Sequence, residues 1–217
     1  QQRLVELDLS DCQLDDRVLS ILGRSFNKLT LDGNRITDQG LALWLPKLMT
    51  QQISLNRTEV TDASLQALAN AKQVWGLELV ETQITEAALA TCGIQNFDRL
   101  SINSIEFDGL CFKSWKPMGL QTLDLSHSGI TDQHIAEIAQ LPSLRQLDLS
   151  HTSITDAALP AIAKCSARQI DLGGTEITAD GLITSGIMLS LLLIPRRCIC
   201  GWTELIQKLI SSEPARG

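Results

Sequence analysis

The sequence predicts an α/β solenoid, a right-handed superhelix of short repeats with a parallel β-sheet on its concave side and helices on its convex side. Two observations predict this fold. Pairs of apolar residues separated by one residue recur nine times, at steps of 22 to 24 residues. Between successive pairs, apolar residues follow the spacing of a helix. A fixed period of this length indicates one structural unit repeated along the chain.

The apolar pairs predict the strands. Alternation of apolar and polar residues is typical of a strand that buries one of its faces. Because every pair should face a shared interior, we expect nine strands side by side in one sheet. The pairs are Leu7/Leu9, Leu29/Leu31, Ile53/Leu55, Leu77/Leu79, Leu100/Ile102, Leu123/Leu125, Leu147/Leu149, Ile170/Leu172 and Leu192/Ile194.

The segments between the pairs predict the helices. Apolar residues recur there with a spacing of three, as in Leu41 and Trp44; in the eighth repeat Ser185 takes the second of these positions, three residues after Leu182. Threonine followed by an acidic residue precedes most of these segments. The threonine oxygen can accept from the free amides of the first turn, and the acid is favoured by the helix dipole. We therefore interpret five such pairs as helix caps: Thr37-Asp38, Thr61-Asp62, Thr85-Glu86, Thr131-Asp132 and Thr155-Asp156.

The frame leucine-x-x-leucine-x-leucine, as in residues 120–125 and 144–149, resembles the leucine-rich repeat family. The resemblance covers about residues 4 to 210, and the threonine-rich half of each repeat is most similar to the short bacterial-type repeats of F-box and GALA effector proteins. Because a repeat array forms one structural unit, we predict a single leucine-rich repeat domain over residues 1–217. An amphipathic capping helix near residues 202–211 should close its last apolar layer.

The bend after each strand departs from the family, which commonly has Asn there. In the family this side chain is buried and hydrogen-bonds the backbone of neighbouring repeats, and hydroxyl substitutes can still do so. The repeat around Ile105 also lacks the Thr-Asp cap and carries the bulky Phe107, Phe112 and Trp115, so we expect a local irregularity. The residues at the bend are Cys12, Asn34, Thr58, Thr82, Ile105, Ser128, Thr152, Thr175 and Arg197.

The composition narrows the class of partner. The formal net charge is −7, whereas nucleic-acid binding requires Lys and Arg to neutralise phosphates. The same acidity disfavours an anionic membrane surface. The six cysteines are spread through the repeats without paired clusters, which favours free thiols and a reducing compartment. We therefore expect a cytoplasmic protein, or one delivered into a host cell if it is an effector, that binds neither nucleic acid nor membrane.

Three aspartates should lie on adjacent strands of the concave face, where like charges cost stability. These residues are Asp124, Asp148 and Asp171. One interpretation is an acidic stripe that attracts a basic partner. The simpler interpretation is that solvent screens the charges and that Arg145 and Arg168, in a neighbouring column, neutralise them.

Two histidines, His127 and His151, occupy equivalent positions in neighbouring repeats, so we expect them to be close in space. With the nearby aspartates they could hold a divalent metal. Duplication of a repeat explains the pair equally well, and the ligand spacing of a dedicated metal site is missing. We therefore predict no metal. His134 should be solvated on a helix flank.

Trp75 and Val80 are apolar residues on the otherwise polar strand face of the fourth repeat. Exposed apolar groups among polar neighbours are the usual anchors of a binding surface, although Trp75 could instead fold over the strand edge. We expect charged residues of this and the neighbouring repeats to lie near them in the fold. They are Arg57, Glu78, Glu81 and Arg99.

No phosphate loop, activated-serine turn or zinc pattern is present in the sequence, so we predict no enzyme, no cofactor and no small-molecule substrate. We expect a module of a larger protein that binds a protein partner on the concave face. Alternatives are the substrate-recognition arm of a ubiquitin-ligase-type or effector protein, and a metal-dependent or catalytic site around His127 and His151. The predicted partner-binding residues are Arg57, Trp75, Glu78, Val80, Glu81, Arg99, Asp124, His127, Arg145, Asp148, His151 and Asp171.

Overall fold

Nine strands form one parallel sheet in the order of the sequence. The computed structural model describes residues 6–22, 25–69, 71, 74–91, 97–107, 112, 119–185 and 198–200. Each strand defines one repeat, so the first repeat contains β1 and the ninth contains β9. The strands are β1 Glu6–Asp8, β2 Ser25–Thr30, β3 Met49–Ser54, β4 Gly76–Glu78, β5 Arg99–Ser101, β6 Thr122–Asp124, β7 Gln146–Asp148, β8 Gln169–Asp171 and β9 Cys198–Cys200.

The register places equivalent repeat positions beside one another. Leu100 pairs with Leu123, and Leu147 pairs with both Leu123 and Ile170. The first eight predicted strands are confirmed, because their apolar pairs pack into one continuous core. The ninth is wrong. Ile199 pairs with Ile170, so the ninth strand is Cys198–Cys200 and does not contain Leu192 or Ile194, which lie outside the described residues.

The described residues form seven α-helices, each placed between one strand and the next along the chain. Helices of consecutive repeats contact one another on the side of the core opposite the sheet. Two 3-10 turns, Leu45–Lys47 and Asp156–Ala158, extend the helices of the second and seventh repeats. The helices are α1 Arg17–Ile21, α2 Asp38–Trp44, α3 Asp62–Ala69, α4 Glu86–Thr91, α5 Asp132–Ile138, α6 Leu159–Ile162 and α7 Ala179–Thr184.

The core between sheet and helices consists mainly of leucine and isoleucine. Leu29, Leu55 and Leu123 are almost completely buried, and so are the first apolar residues of α2 and α3, Leu41 and Leu65. Each such side chain contributes roughly 1.5–3 kcal/mol relative to an exposed one. The repeat position decides burial nearly everywhere, with one correction: Ser185, expected to face inward after Leu182, is exposed.

A carboxylate joins each of several repeats to the next. The Asp38 carboxylate accepts from both the N–H and the Oγ1 of Thr61 in the following repeat, at 2.9 and 2.6 Å. Four other aspartates make the same pair of bonds. These links are Asp16–Thr37, Asp62–Thr85, Asp132–Thr155 and Asp156–Thr178.

The threonines also cap their own helices, as predicted. The Ala157 N–H donates to Thr155 Oγ1 at 3.2 Å and the Ala88 N–H donates to Thr85 Oγ1 at 3.4 Å. Thr178, which was not among the predicted caps, accepts from the Gly181 N–H at 3.0 Å. The role of the aspartates was not predicted. Each acidic residue was assigned to its own helix dipole, whereas the carboxylates of Asp38, Asp62, Asp132 and Asp156 bind the threonine of the following repeat.

The fifth and sixth repeats meet differently. The position equivalent to the linking aspartate is Gly109, which carries no carboxylate and lies outside the described residues. Instead, the Thr131 N–H donates to Nδ1 of His134 at 2.9 Å. His134 is 1% exposed and packs near Phe107 and Phe112, so the prediction that it is solvated is wrong.

The bend residues bond mostly within their own repeat, which corrects the family-based expectation. Thr58, Thr152 and Thr175 each donate to the carbonyl three residues earlier, at 2.6, 2.6 and 2.7 Å. Asn34 alone among the described bend residues reaches the neighbouring repeat: its amide nitrogen donates to the Leu9 carbonyl and its oxygen accepts from the Leu14 N–H. The longer Asn34 side chain carries both a donor and an acceptor and reaches backbone groups of two repeats. The shorter threonine hydroxyl bonds a carbonyl of its own repeat.

Several predictions concern residues that the structure does not describe. These are the capping helix near 202–211, Trp115, Asp108-Gly109 and the cysteines outside the described side chains. Cys12 is exposed and Cys165 is buried, and both are free thiols. In the described part of the chain, no helix has the length and apolar character needed to cross a membrane.

Candidate functional site

The sheet face opposite the helices, which we call the concave face, displays columns of side chains from successive strands. Asp124 pairs with Asp148, and Asp148 pairs with Asp171, so the predicted aspartate column is confirmed. Each Oδ1 accepts from the backbone N–H two residues later, at 2.9–3.0 Å. The aspartates therefore stabilise the turn after each strand, and their half-buried carboxylates remain partly open to solvent.

The arginines do not neutralise this column. Among the described residues, no carboxylate lies within ion-pair distance of Arg145 or Arg168, which are both exposed. They line a separate depression at the edge of the sheet where the strands begin. Between the two charged columns, the Gln146 side chain donates to that of Gln169 at 3.2 Å. The concave face of these repeats therefore has an acidic column, an amide column and a basic edge.

The second to fourth repeats carry a hydrogen-bonded network on the same face. Ser54 Oγ donates to the carboxylates of Asp32 and Glu78, at 2.6 and 3.1 Å. Asn56 donates to Asp32 at 2.9 Å. Glu78 also forms an ion pair with Lys28, at 3.7 Å between Nζ and Oε1. This network holds Glu78, a predicted contact residue, in a defined position.

Gly76 has no side chain in the column that it forms with Lys28, Gln52 and Arg99. A Cβ atom at Gly76 would lie 2.8 Å from Cγ of Gln52, so the neighbouring side chain occupies part of the space. The result is a depression of about 370 Å³ in the concave face. It includes three predicted contact residues, Glu78, Arg99 and Asp124, and is also lined by Lys28, Gln52, Leu77, Leu100, Ser101 and Thr122.

Trp75 precedes Gly76 and is 48% exposed. Its backbone is held between two strands, because its N–H donates to Gln51 and its carbonyl accepts from Asp98. Val80 is only half-buried, and its N–H donates to the Asn56 side chain at 2.7 Å. Of the two predicted apolar anchors, Trp75 presents much of its ring to solvent, while Val80 is partly covered.

A column of left-handed residues follows the strands, and sequence reasoning did not find it. Four predicted contact residues belong to it: Arg57, Glu81, His127 and His151 all have φ of 53° to 56°. Positive φ is uncommon for residues other than glycine. The period itself could have revealed the column, because Gly33 and Gly174 occupy the same repeat position.

Side chains in this column lie over the next residue of the column. The Asp11 carboxylate covers Gly33, where a Cβ would lie 1.9 Å from its Oδ1, and Arg57 reaches across to Asp11 at 3.2 Å. Likewise, the His151 ring covers Gly174, where a Cβ would lie 2.5 Å from Nδ1. The two glycines therefore make room for their neighbours.

His127 and His151 are neighbours, as predicted, with ring centroids 4.4 Å apart and planes inclined by 10°. A ring nitrogen binds a metal in the plane of its ring. Because these planes are nearly parallel, they meet only far from the rings, and the pair offers no position for a shared ion. Among the described residues there is no group of three or more His, Cys, Asp or Glu suited to a metal.

Comparisons with known proteins agree with this geometry. One leucine-rich repeat family model matches residues 140–163, and a second matches residues 3–25 and 119–141. No curated protein matches the sequence. The matching models are general ones, so the similarity to F-box and GALA repeats stays a prediction.

Two solved structures share the fold. An internalin from Listeria monocytogenes str. 4b F2365 is 18% identical, with a TM-score of 0.53, and the match covers 85% of this chain and 58% of that one. The mouse RP105/MD-1 complex contains a chain that is 17% identical, with a TM-score of 0.55, and the match covers 90% of this chain and 38% of that one. This chain thus spans less than two thirds of either protein, and the likeness shows the fold alone.

Proposed function

The chain is a leucine-rich repeat protein, a family of general protein-interaction modules, and we propose that it binds a protein partner on its concave face. We propose further that it acts as the recognition part of a larger protein and performs no catalysis itself. The observation that carries this proposal is the depression at Gly76, which is lined by charged groups of both signs and follows the exposed Trp75 in the chain.

The chemistry of the depression supports a protein ligand. Aromatic and arginine side chains are enriched among residues that dominate binding energy at interfaces, and here Trp75 precedes β4 and its carbonyl accepts from the N–H of Arg99, the first residue of β5. Glu78 and Asp124 add carboxylates, and Lys28 adds an ammonium group. A partner side chain placed in the gap at Gly76 would meet donors and acceptors of both charges together with a large apolar surface.

The remaining predicted residues extend this surface in two directions. Asp148 and Asp171 continue the acidic column, and Arg145 lies at the edge where the strands begin. The left-handed column, with Arg57, Glu81, His127 and His151, forms the other border. We propose that a bound partner contacts the Gly76 depression first and these borders second.

The test is site-specific photocrosslinking. A photoreactive phenylalanine analogue replaces Trp75 in one variant and the half-buried Glu137, on α5 and away from the sheet, in a control. We expect the Trp75 variant to crosslink a protein from the source cells, and Gly76→Gln, which refills the column, to abolish that product. Equal crosslinking from position 137, or a product unaffected by Gly76→Gln, would place the partner elsewhere.

A further inference from the structure

A groove separates the first two helices on the face opposite the concave sheet. The helix α1 ends at Ile21, whereas α2 and the 3-10 turn after it continue to Lys47. The end of the second helix is therefore not covered by the first. The resulting groove has a volume of about 590 Å³, which lies within the range of small-molecule sites. It is lined by Asp16, Leu19, Ser20, Leu22, Gln39, Gly40, Leu43, Trp44 and Lys47.

Large apolar residues occupy one repeat position in both α1 and α2, and one of them, Leu43, lines this groove. Ile21 and Leu43 occupy equivalent positions in consecutive helices and are 82% and 71% exposed. The repeat does not require such residues, because the same position in the other described helices is small or polar. It is occupied there by Ala67, Thr91, Glu137, Ala161 and Thr184. Two adjacent exposed apolar side chains beside a groove indicate a binding surface.

A buried donor lies in the wall of the groove. Trp44 is 5% exposed, and its indole Nε1 has no hydrogen-bond partner. A buried polar group without a partner costs about 1–3 kcal/mol, and most are satisfied in native proteins. The Trp44 indole N–H is therefore available to donate to an acceptor on a ligand in the groove.

The two ends of the groove differ in charge. At one end, both carboxylate oxygens of Asp16 are occupied by Thr37, at 2.9 and 2.6 Å. At the other end, Lys47 is exposed and takes part in none of the ion pairs found among the described residues. Gln39, Leu43 and Lys47 are spaced by four residues and share one face of the helical segment. An anionic group would therefore be favoured at the Lys47 end, beyond an apolar wall.

From this arrangement we propose that the groove between α1 and α2 binds a small apolar carboxylic acid. The apolar body lies against Leu19, Leu22 and Leu43, and the carboxylate lies at Lys47. The site is independent of the concave face, so its failure would leave the proposed partner binding untouched.

The test uses octanoate as the probe and 1-octanol as its neutral counterpart. In a ¹H–¹⁵N spectrum of the full chain, the Trp44 indole resonance, assigned with Trp44→Phe, should shift saturably with octanoate. We expect 1-octanol to bind about threefold more weakly, because an exposed ion pair contributes little. Lys47→Ala should reduce octanoate binding to the level of 1-octanol.

Two further variants decide the location. Leu43→Asn removes an exposed apolar wall without threatening the core and should weaken octanoate binding about tenfold. Ile183→Asn removes another exposed apolar residue, 54% exposed on α7, and should have no effect. The proposal is overturned if the Trp44 resonance does not shift, if Leu43→Asn binds like the unaltered protein, or if Lys47→Ala leaves the preference for octanoate intact.

Discussion

Neighbouring repeats are joined in two different ways in this molecule. From the first to the fourth repeat, and again from the sixth to the eighth, an aspartate of one repeat accepts two hydrogen bonds from a threonine of the next. Between the fifth and sixth repeats, the buried imidazole of His134 accepts from the same threonine position, next to two phenylalanines.

This difference shows that the threonine N–H before each helix needs a hydrogen-bond acceptor, which can be a carboxylate or an imidazole. The threonine N–H opens the turn before each helix and needs a partner, whether the partner comes from the preceding repeat or from within its own helix. A carboxylate supplied from outside joins two repeats. At the boundary of the fifth and sixth repeats the acceptor is the His134 imidazole of the same repeat, so the contact between these repeats depends on aromatic packing.

The largest expected effect is at the aromatic boundary. His134→Ala removes a buried ring and leaves the Thr131 N–H without its acceptor, so we expect a loss of about 3 kcal/mol in the free energy of unfolding. Urea denaturation followed by circular dichroism measures this change. His127→Ala, at an exposed position, serves as the control and should cost less than about 1 kcal/mol. Equal losses in the two variants would mean that the boundary does not depend on His134.

A smaller effect is expected at a carboxylate link. Asp38→Ala removes the acceptor of the Thr61 N–H and hydroxyl and of the Ser64 hydroxyl. Because the site is half-exposed, we expect a loss of about 2 kcal/mol. Asp180→Ala is the matched control, since this acidic residue also lies in a first helical turn but links no described repeat; its loss should stay near 0.5 kcal/mol. If both variants lose the same amount, the helix dipole rather than the link explains the aspartates.

The smallest expected effect is the pH dependence of the stability that the Asp38 carboxylate contributes. Burial acts to raise the pKa of Asp38, but hydrogen bonds from Ser64 and Thr61 outweigh it, so the pKa in the folded protein is lowered. A carboxyl with a lowered pKa contributes stability above its ordinary pKa and loses it as the pH falls through the folded value. The stability difference between the unaltered protein and Asp38→Asn, measured by urea denaturation, should therefore shrink in that acidic range. A difference that is constant down to the lowest pH would contradict this assignment.

Periodicity predicted the features that depend on burial. The first eight strands, their register and the aspartate column follow from the alternation of apolar residues, because register fixes which side chains face the core. The ninth strand was misplaced because an apolar pair stands at Leu192 and Ile194, whereas Ile199, which pairs with Ile170, is followed two residues later by Gly201. Spacing alone favoured the first.

The candidate surface was predicted in part. The placement of Glu78, Arg99 and Asp124 around one depression needed only the register, but that a depression exists beside Gly76 was visible only in the structure. His134 was misjudged because a polar residue on a helix flank is usually solvated. Its burial follows from two features of the preceding repeat: Gly109 carries no carboxylate, and Phe107 and Phe112 are bulky. Each position was interpreted by itself, so the two features were not combined.

The Asp–Thr link has a direction, since the second, third and seventh repeats each offer a carboxylate to the next repeat and a threonine to the preceding one. A tandem copy of such a repeat would therefore meet its neighbours with both groups already matched. The array can lengthen by duplication of these three repeats without new chemistry. A tandem copy of the fifth repeat would instead place Gly109 before Asp108, so that junction would contain neither the carboxylate nor the threonine of the link.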